Sequence, residues 1–165
     1  MSNIRRRGYL PHIESPGRSY LLTFRLQERG DAWLRQPEVA SQIEGILLFR
    51  HRMDYSVYAW CIMPDHVHLV LLPLQGRKLP AILHRIKGFS ARRCNALLGR
   101  EGIFWQQETH DSLLYSDRDR EAAVEYVVTN PVRAGLCQRV DHWRWSSAGY
   151  RAQMSAGLLG PWQWP

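Results

Sequence analysis

The sequence predicts an α+β domain of ferredoxin-like type, in which helices pack mainly on one face of an antiparallel sheet. Residues 55–63 and 66–72 are β-rich and are separated only by Pro64 and Asp65, which predicts a tight antiparallel hairpin. Segments with helical periodicity lie before and after this hairpin. The predicted order is therefore strand, helix, strand, strand, helix, one or two short strands, and a last helix.

The outer elements follow from local patterns. Residues 19–26 alternate apolar and polar side chains and are predicted to form the first strand, and residues 37–52 repeat apolar residues at helical spacing. Residues 80–98 form a long basic helix that ends at Gly99. Short strands are predicted within 103–115. Asp117 is the expected N-cap of the last helix, which should end near Pro131.

Composition predicts one globular domain, 1–165, with a basic N-terminal arm at 1–17 and an irregular C-terminal segment at 137–165. Hydrophobic residues make up 45% and charged residues 22% of the chain. No apolar run approaches the roughly 20 residues of a membrane span. The three widely spaced cysteines indicate reduced thiols, and we expect a cytoplasmic protein without a membrane partner.

The charge indicates a nucleic-acid partner. The chain carries 22 Lys and Arg against 15 Asp and Glu, a net charge of +7, and its only lysines are Lys78 and Lys87. The guanidinium group of arginine matches phosphate geometry and stacks on bases. Basic patches that bind DNA are predicted in the arm and the long helix, with Trp105 as an aromatic platform, although burial is the commoner role of a tryptophan. The predicted DNA-binding residues are Arg5, Arg6, Arg7, Arg85, Lys87, Arg92, Arg93 and Trp105.

The predicted strand at 66–72 carries a candidate metal site. His66 and His68 are two residues apart, so on a strand their imidazoles point to the same face. Paired imidazoles are suitable metal ligands, while Val67 and Leu69 point the other way into a core. Two histidines do not complete a metal site, which leaves room for a third ligand and a substrate phosphate oxygen.

The last predicted helix carries a candidate nucleophile. Ala123, Val127 and their apolar neighbours form a stripe, and Tyr126 lies off it. Asn130 is one helical turn after Tyr126, on the same face. A phenol and an amide thus share a face that the core does not use, although a tyrosine at the margin of a core is also common.

These segments together resemble a known family. The segments PDHVHLVLLP, KGFSARRCNALLG, IFWQQ and EYVVTNPVRAGL are similar to those of the REP-associated tyrosine transposases, single-tyrosine members of the HUH nucleases. The resemblance covers roughly residues 5–150. It implies that His66 and His68 are metal ligands, that Tyr126 is the nucleophile, and that Asn130 is a third metal ligand where insertion-sequence relatives often have glutamine.

The resemblance also implies the reaction. Mg²⁺ or Mn²⁺ would act on the scissile phosphate, Tyr126 would form a 5′-phosphotyrosine, and single-stranded hairpin DNA would be the substrate. We expect a monomer, although related insertion-sequence enzymes are dimers that exchange tyrosine helices. Two alternatives stay open: a metal phosphodiesterase that uses water as nucleophile, and a DNA-binding module without catalysis.

Overall fold

The computed structural model describes residues 15–28 and 32–155, with side chains described as far as residue 153. The arm residues Arg5, Arg6 and Arg7 lie outside this range. The strands are β1 (Ser19–Arg25), β2 (Tyr55–Ile62), β3 (His66–Pro73) and β4 (His110–Leu114). The helices are α1 (Pro37–Phe49), α2 (Leu79–Leu98), α3 (Asp117–Arg133) and α4 (Ser147–Ser155).

The four strands form one antiparallel sheet in the order β2-β3-β1-β4, so the predicted α+β fold class is confirmed. The hairpin of β2 and β3 turns at Pro64 and Asp65, as their turn chemistry predicts. β3 is a central strand, paired with β2 on one side and β1 on the other. Side chains on β3 therefore have neighbours on both sides.

The two faces of the sheet are covered by different helices. α1 and α2 pack together on the face that carries Leu22, Phe24 and Leu69, all of which are fully buried. α3 lies on the other face, where Ala123 and Val127 pack against Val70. Because side chains alternate along β3, the histidines share the α3 face with Val70.

Helix α3 begins and ends differently from the prediction. The N-cap is Ser116 rather than Asp117, because the Ser116 hydroxyl accepts from the Asp119 amide while the Asp119 carboxylate accepts from the Ser116 amide. The helix also continues past Pro131 to Arg133. Pro131 removes one backbone hydrogen bond, but its ring is buried and the amide of Ala134 still donates to the Asn130 carbonyl.

The segment from residue 137 is less irregular than we expected. It contains a short 3₁₀ turn at Val140–His142 and the helix α4. The Ser146 hydroxyl accepts from the Gly149 amide at 3.1 Å and so satisfies a free donor in the first turn of α4. Tyr150 then packs edge-on against Trp60 with ring centres 5.6 Å apart. The helix depends on this tertiary contact, which local sequence does not reveal.

Helices long and apolar enough to cross a membrane are absent from the part of the chain that the structure describes.

Candidate active site

His66 and His68 point to the same face of β3 and meet at their Nε2 atoms, which are 3.1 Å apart. Their ring centres are 4.7 Å apart and the rings are nearly perpendicular. His68 is buried, and His66 is half-buried. The alternation along the strand therefore brings both ring nitrogens to one point on the α3 side of the sheet.

Each imidazole is held at its other nitrogen. Nδ1 of His68 lies 2.8 Å from Oγ1 of Thr23, its cross-strand partner on β1. Nδ1 of His66 lies 2.5 Å from Oδ1 of Asp65. Nδ1 of His66 also lies 3.2 Å from Nη1 of Arg25, a donor, but the Asp65 carboxylate is closer and can only accept. We therefore assign the proton of each ring to Nδ1, which leaves the lone pair on Nε2. Arg25, paired with His66 across the sheet, lies 3.6 Å from the Asp65 carboxylate.

The two imidazoles are neutral at pH 7. Burial lowers the pKa of His68 to about 4, and the nearby His66 and Arg25 act in the same direction. Burial also lowers the pKa of His66, although the hydrogen bond to Asp65 opposes the change. Neutral imidazole is the form that binds metal ions.

Helix α3 places Tyr126 and Asn130 over the histidine pair. The Tyr126 ring meets His68 edge-on with ring centres 5.4 Å apart, and it is 39% exposed. The Asn130 side chain lies close enough to the His68 ring to oppose the lowering of its pKa, and its amide nitrogen donates to the Tyr126 carbonyl at 3.2 Å. The stripe of Ala123 and Val127 anchors the helix, so the face with Tyr126 and Asn130 lies toward the site. The structure therefore brings together all four residues that the sequence proposed for catalysis.

The arrangement fits a divalent cation. Two ligands at neighbouring positions of an octahedral ion, with bonds of about 2.1 Å, lie about 3.0 Å apart. The observed Nε2 separation of 3.1 Å matches this spacing. The described residues contain no cluster of three or more histidines, cysteines or carboxylates that could hold a metal ion, and Asn130 is the side chain beside His68 that carries an amide oxygen. Oxygen from that amide, from water and from a phosphate suits Mg²⁺ or Mn²⁺.

Tyr115, the alternative tyrosine near α3, lies elsewhere. It follows Leu114, which pairs with Ser19 at one end of β1, whereas Thr23 beside His68 is near the other end. Ser19 and Thr23 are four residues apart along β1, which corresponds to about 13 Å between the strand positions next to Tyr115 and next to His68. The Tyr115 side chain is 63% exposed and has no ring contact with the histidines.

Two of the predicted DNA-binding residues, Trp105 and Lys87, make their contacts inside the protein. Trp105 is only 4% exposed, and its indole nitrogen donates to the Ser90 hydroxyl at 2.8 Å, so neither ring face is open to a base. The Lys87 ammonium donates to the carbonyls of Gln106 and Gln107 and to the Thr109 hydroxyl, at 2.7, 2.9 and 3.1 Å. The three N–H donors of the ammonium are therefore used by the loop before β4, and none is left for a phosphate.

The other predicted basic residues of α2 lie on the opposite side of the sheet from the histidines. Arg92 and Arg93 are exposed, and Arg85 is exposed but paired with Asp54 at 3.2 Å. They form a separate basic surface and do not join the cluster of His66, His68 and Tyr126.

Sequence reasoning missed three residues that support the histidines: Thr23, Arg25 and Asp65. Asp65 was assigned only to the turn, although its position beside His66 was a signal for a carboxylate–imidazole contact. Thr23 and Arg25 carried no signal, because only the register of β1 against β3 places them opposite His68 and His66.

Two known proteins are similar in sequence to this chain. A Haemophilus influenzae (strain Rd) protein named as a REP-associated tyrosine transposase is 28% identical over 103 residues, which cover 56% of this chain and 58% of that protein. The REP-associated tyrosine transposase of Escherichia coli K12 is 24% identical over 114 residues, which cover 68% of this chain and 65% of that protein. The matches thus span less than two thirds of each relative.

Two solved structures are similar to this chain in fold. The structure of a REP-associated tyrosine transposase bound to a REP hairpin matches with a TM-score of 0.69 at 22% identity, over 96% of this chain and 88% of that one. A Deinococcus radiodurans R1 protein described as a transposase matches with a TM-score of 0.50 at 24% identity, over 74% of this chain and 94% of that one. The family model for IS200-like transposases matches residues 19–130. The resemblance seen in the motifs is therefore confirmed, and the chain belongs to the IS200-like transposase family.

Proposed function

We propose that this chain is a metal-dependent enzyme that cuts and rejoins single-stranded DNA, with Tyr126 as nucleophile. The observation that carries the proposal is the contact of Tyr126 with His68, whose Nε2 faces that of His66. The Tyr126 side chain is 39% exposed, so a DNA strand can reach it. A phenol beside two neutral imidazoles and an amide places a possible nucleophile next to groups that can hold a metal ion.

His66, His68 and Asn130 would hold Mg²⁺ or Mn²⁺. When bound, the ion supplies positive charge to a non-bridging oxygen of the scissile phosphate. Asp65 and Thr23 accept the Nδ1 protons of the two rings and so keep both Nε2 lone pairs directed at one point. Arg25 holds Asp65 in place through its ion pair.

The covalent step exchanges one phosphodiester for another. The Tyr126 oxygen loses its proton and forms a bond to phosphorus, while the bond from phosphorus to the 3′-oxygen breaks and that oxygen takes up a proton. The products are a 5′-phosphotyrosyl strand and a free 3′-OH. Because one ester replaces another, a 3′-OH can attack the phosphotyrosine and rejoin DNA without a nucleotide cofactor.

We propose hairpin DNA as the substrate, because the structural neighbour is bound to a REP hairpin and the chain carries a net charge of +7. Arg85, Arg92 and Arg93, together with the arm residues Arg5, Arg6 and Arg7, are the proposed phosphate contacts. We also propose a monomer acting in the cytoplasm, since Tyr126 contacts the histidine of its own chain.

The test is to trap the intermediate. Labelled single-stranded hairpin incubated with the protein and Mn²⁺ should give a protein–DNA adduct that survives denaturation and maps to the peptide of Tyr126. Cleavage without any adduct would favour the phosphodiesterase that uses water. Hairpin binding without cleavage would favour the non-catalytic module.

A further inference from the structure

A groove between α1 and α2 lies on the side of the sheet opposite the histidine pair. It encloses about 670 Å³, within the size range of ligand pockets. Phe49 of α1 and Phe89 of α2 line it and are 56% and 53% exposed, respectively. The two exposed phenyl rings lie on neighbouring helices and form an apolar surface of the kind that binds a partner.

The groove carries an excess of positive charge. Arg50, Arg85 and Arg93 line it, and Asp54 is the only acidic residue among its described lining residues. The buried Asp54 carboxylate is already shared by three guanidinium groups, with nitrogen–oxygen distances of 2.6 Å to Arg50, 3.2 Å to Arg85 and 3.3 Å to Arg77. One negative charge cannot neutralise three positive ones.

Arg93 and the neighbouring Arg92, both on α2, are not among the three arginines that share Asp54. Arg93 donates to the neutral Gln42 amide at 2.8 Å, a contact that leaves its charge uncompensated. The Arg92 guanidinium lies 4.7 Å from the centre of the Phe89 ring. Exposed aromatic rings interleaved with uncompensated arginines form the surface that binds single-stranded nucleic acid, where bases stack on rings and cations follow the phosphates.

We propose that this α1–α2 groove is a second binding site for single-stranded DNA, with unpaired bases stacked on Phe49 and Phe89 and phosphates on Arg85 and Arg93. The segment bound there differs from the one at Tyr126, because the sheet separates the two sites. The inference rests on the proposed function for its choice of ligand. It deepens that function by assigning a second, non-catalytic contact to the substrate strand.

The test uses the full chain and a fluorescent ten-nucleotide oligothymidine, which forms no hairpin. Phe49→Ala and Phe89→Ala should each weaken binding about tenfold, the effect of losing one stacked base. Phe49→Trp, which keeps an aromatic ring, should bind oligothymidine as tightly as the wild type. Ile103→Ala is the control: it removes an exposed apolar side chain from a separate cavity and should leave the affinity unchanged. Arg93→Gln should lower the slope of log affinity against log salt by about 0.7.

Photocross-linking separates this inference from the proposed function. Oligothymidine carrying 5-bromouracil should cross-link to peptides that contain Phe49 or Phe89, in the wild type and equally in Tyr126→Phe. Groove cross-links to oligothymidine, together with no tyrosine adduct when the same protein is incubated with the labelled hairpin and Mn²⁺, would sink the proposed function alone. A tyrosine adduct with unchanged affinity in both alanine variants would overturn the groove. A dimer that Phe49→Ala dissolves, with DNA affinity unchanged, would also overturn it and assign the surface to a second copy of the chain.

Discussion

Tyr126 of α3 and His68 of β3 lie edge to face with ring centres 5.4 Å apart, although they are far apart in the sequence. The contact exists because Ala123 and Val127 pack α3 onto the sheet face that carries the histidines. It places the proposed nucleophile and the proposed metal ligands of one chain in one site.

Tyr126→Phe should abolish the covalent adduct while hardly changing stability. The change removes one exposed hydroxyl and almost no packing volume, so the melting temperature should stay within about 2 °C of the wild type. Denaturing gels of the reaction with labelled hairpin measure the adduct. Tyr115→Phe is the matched control and should keep full activity, and an adduct that persists in Tyr126→Phe would reject the assignment.

His66→Ala and His68→Ala should each abolish cleavage yet leave hairpin affinity within about threefold of the wild type. The phosphate contacts that we propose as the main source of affinity lie on other surfaces. Parallel cleavage and fluorescence anisotropy assays give the two quantities. If affinity falls as far as cleavage, the β3 strand reads DNA instead of holding a metal.

Asp65→Asn should weaken Mn²⁺ binding about 10- to 100-fold, the usual cost of losing a partner that orients a metal-bound histidine. The amide no longer holds the Nδ1 proton of His66 as a carboxylate does. Electron paramagnetic resonance of free Mn²⁺ measures the affinity without DNA. Thr23→Val should weaken binding through His68 in the same way, while Thr23→Ser, which keeps the hydroxyl, should not. Unchanged Mn²⁺ affinity in Asp65→Asn would show that the carboxylate serves only the turn.

The ionisation of Asp54 should make the free energy of unfolding depend on pH in the acidic range. Burial alone would raise the pKa of Asp54, but the hydrogen bonds and charges of its arginine neighbours lower it below the ordinary value. The folded state therefore binds this proton less readily than the unfolded chain, so the stabilisation is complete above the unfolded pKa of about 3.9. It is lost as the pH falls through the folded pKa.

Asp54→Asn is the corresponding variant. We expect it to lower the free energy of unfolding by about 1–3 kcal/mol at pH 7, where hydrogen bonds to a charged group are lost. The difference from the wild type should shrink as the pH drops from about 5 to below the folded pKa. Urea unfolding at a series of pH values measures it, and a difference that stays constant with pH would contradict this account.

Lys87→Met should lower stability without lowering DNA affinity. The substitution leaves the carbonyls of Gln106 and Gln107 and the Thr109 hydroxyl without their shared donor, at a cost of about 1–3 kcal/mol. Burial lowers the pKa of Lys87, in keeping with an internal role. Thermal unfolding and hairpin titration test this together. If Lys87→Met lowers DNA affinity and leaves the melting temperature unchanged, Lys87 is a DNA-binding residue after all.

The sequence by itself predicted the strands β1 to β3 and the helices α1 to α3, and it supplied the residues that we propose as the reacting groups. Alternation in β3 fixed His66 and His68 on one face, and helical spacing in α3 put Tyr126 and Asn130 together and away from the core. These are properties of one strand and one helix, which have periods that a sequence displays directly.

The tertiary structure decided which groups meet across elements. Thr23 and Arg25 reach the histidines only through the register of β1 against β3. Trp105 is buried because it packs edge-on against Phe24 and Phe104 in the core, where Ser90 of α2 accepts its indole proton. The groove of Phe49 and Phe89 likewise needs α1 and α2 side by side. Such contacts depend on long-range packing free energy, which is summed over the whole core and leaves no periodic signal in the local sequence.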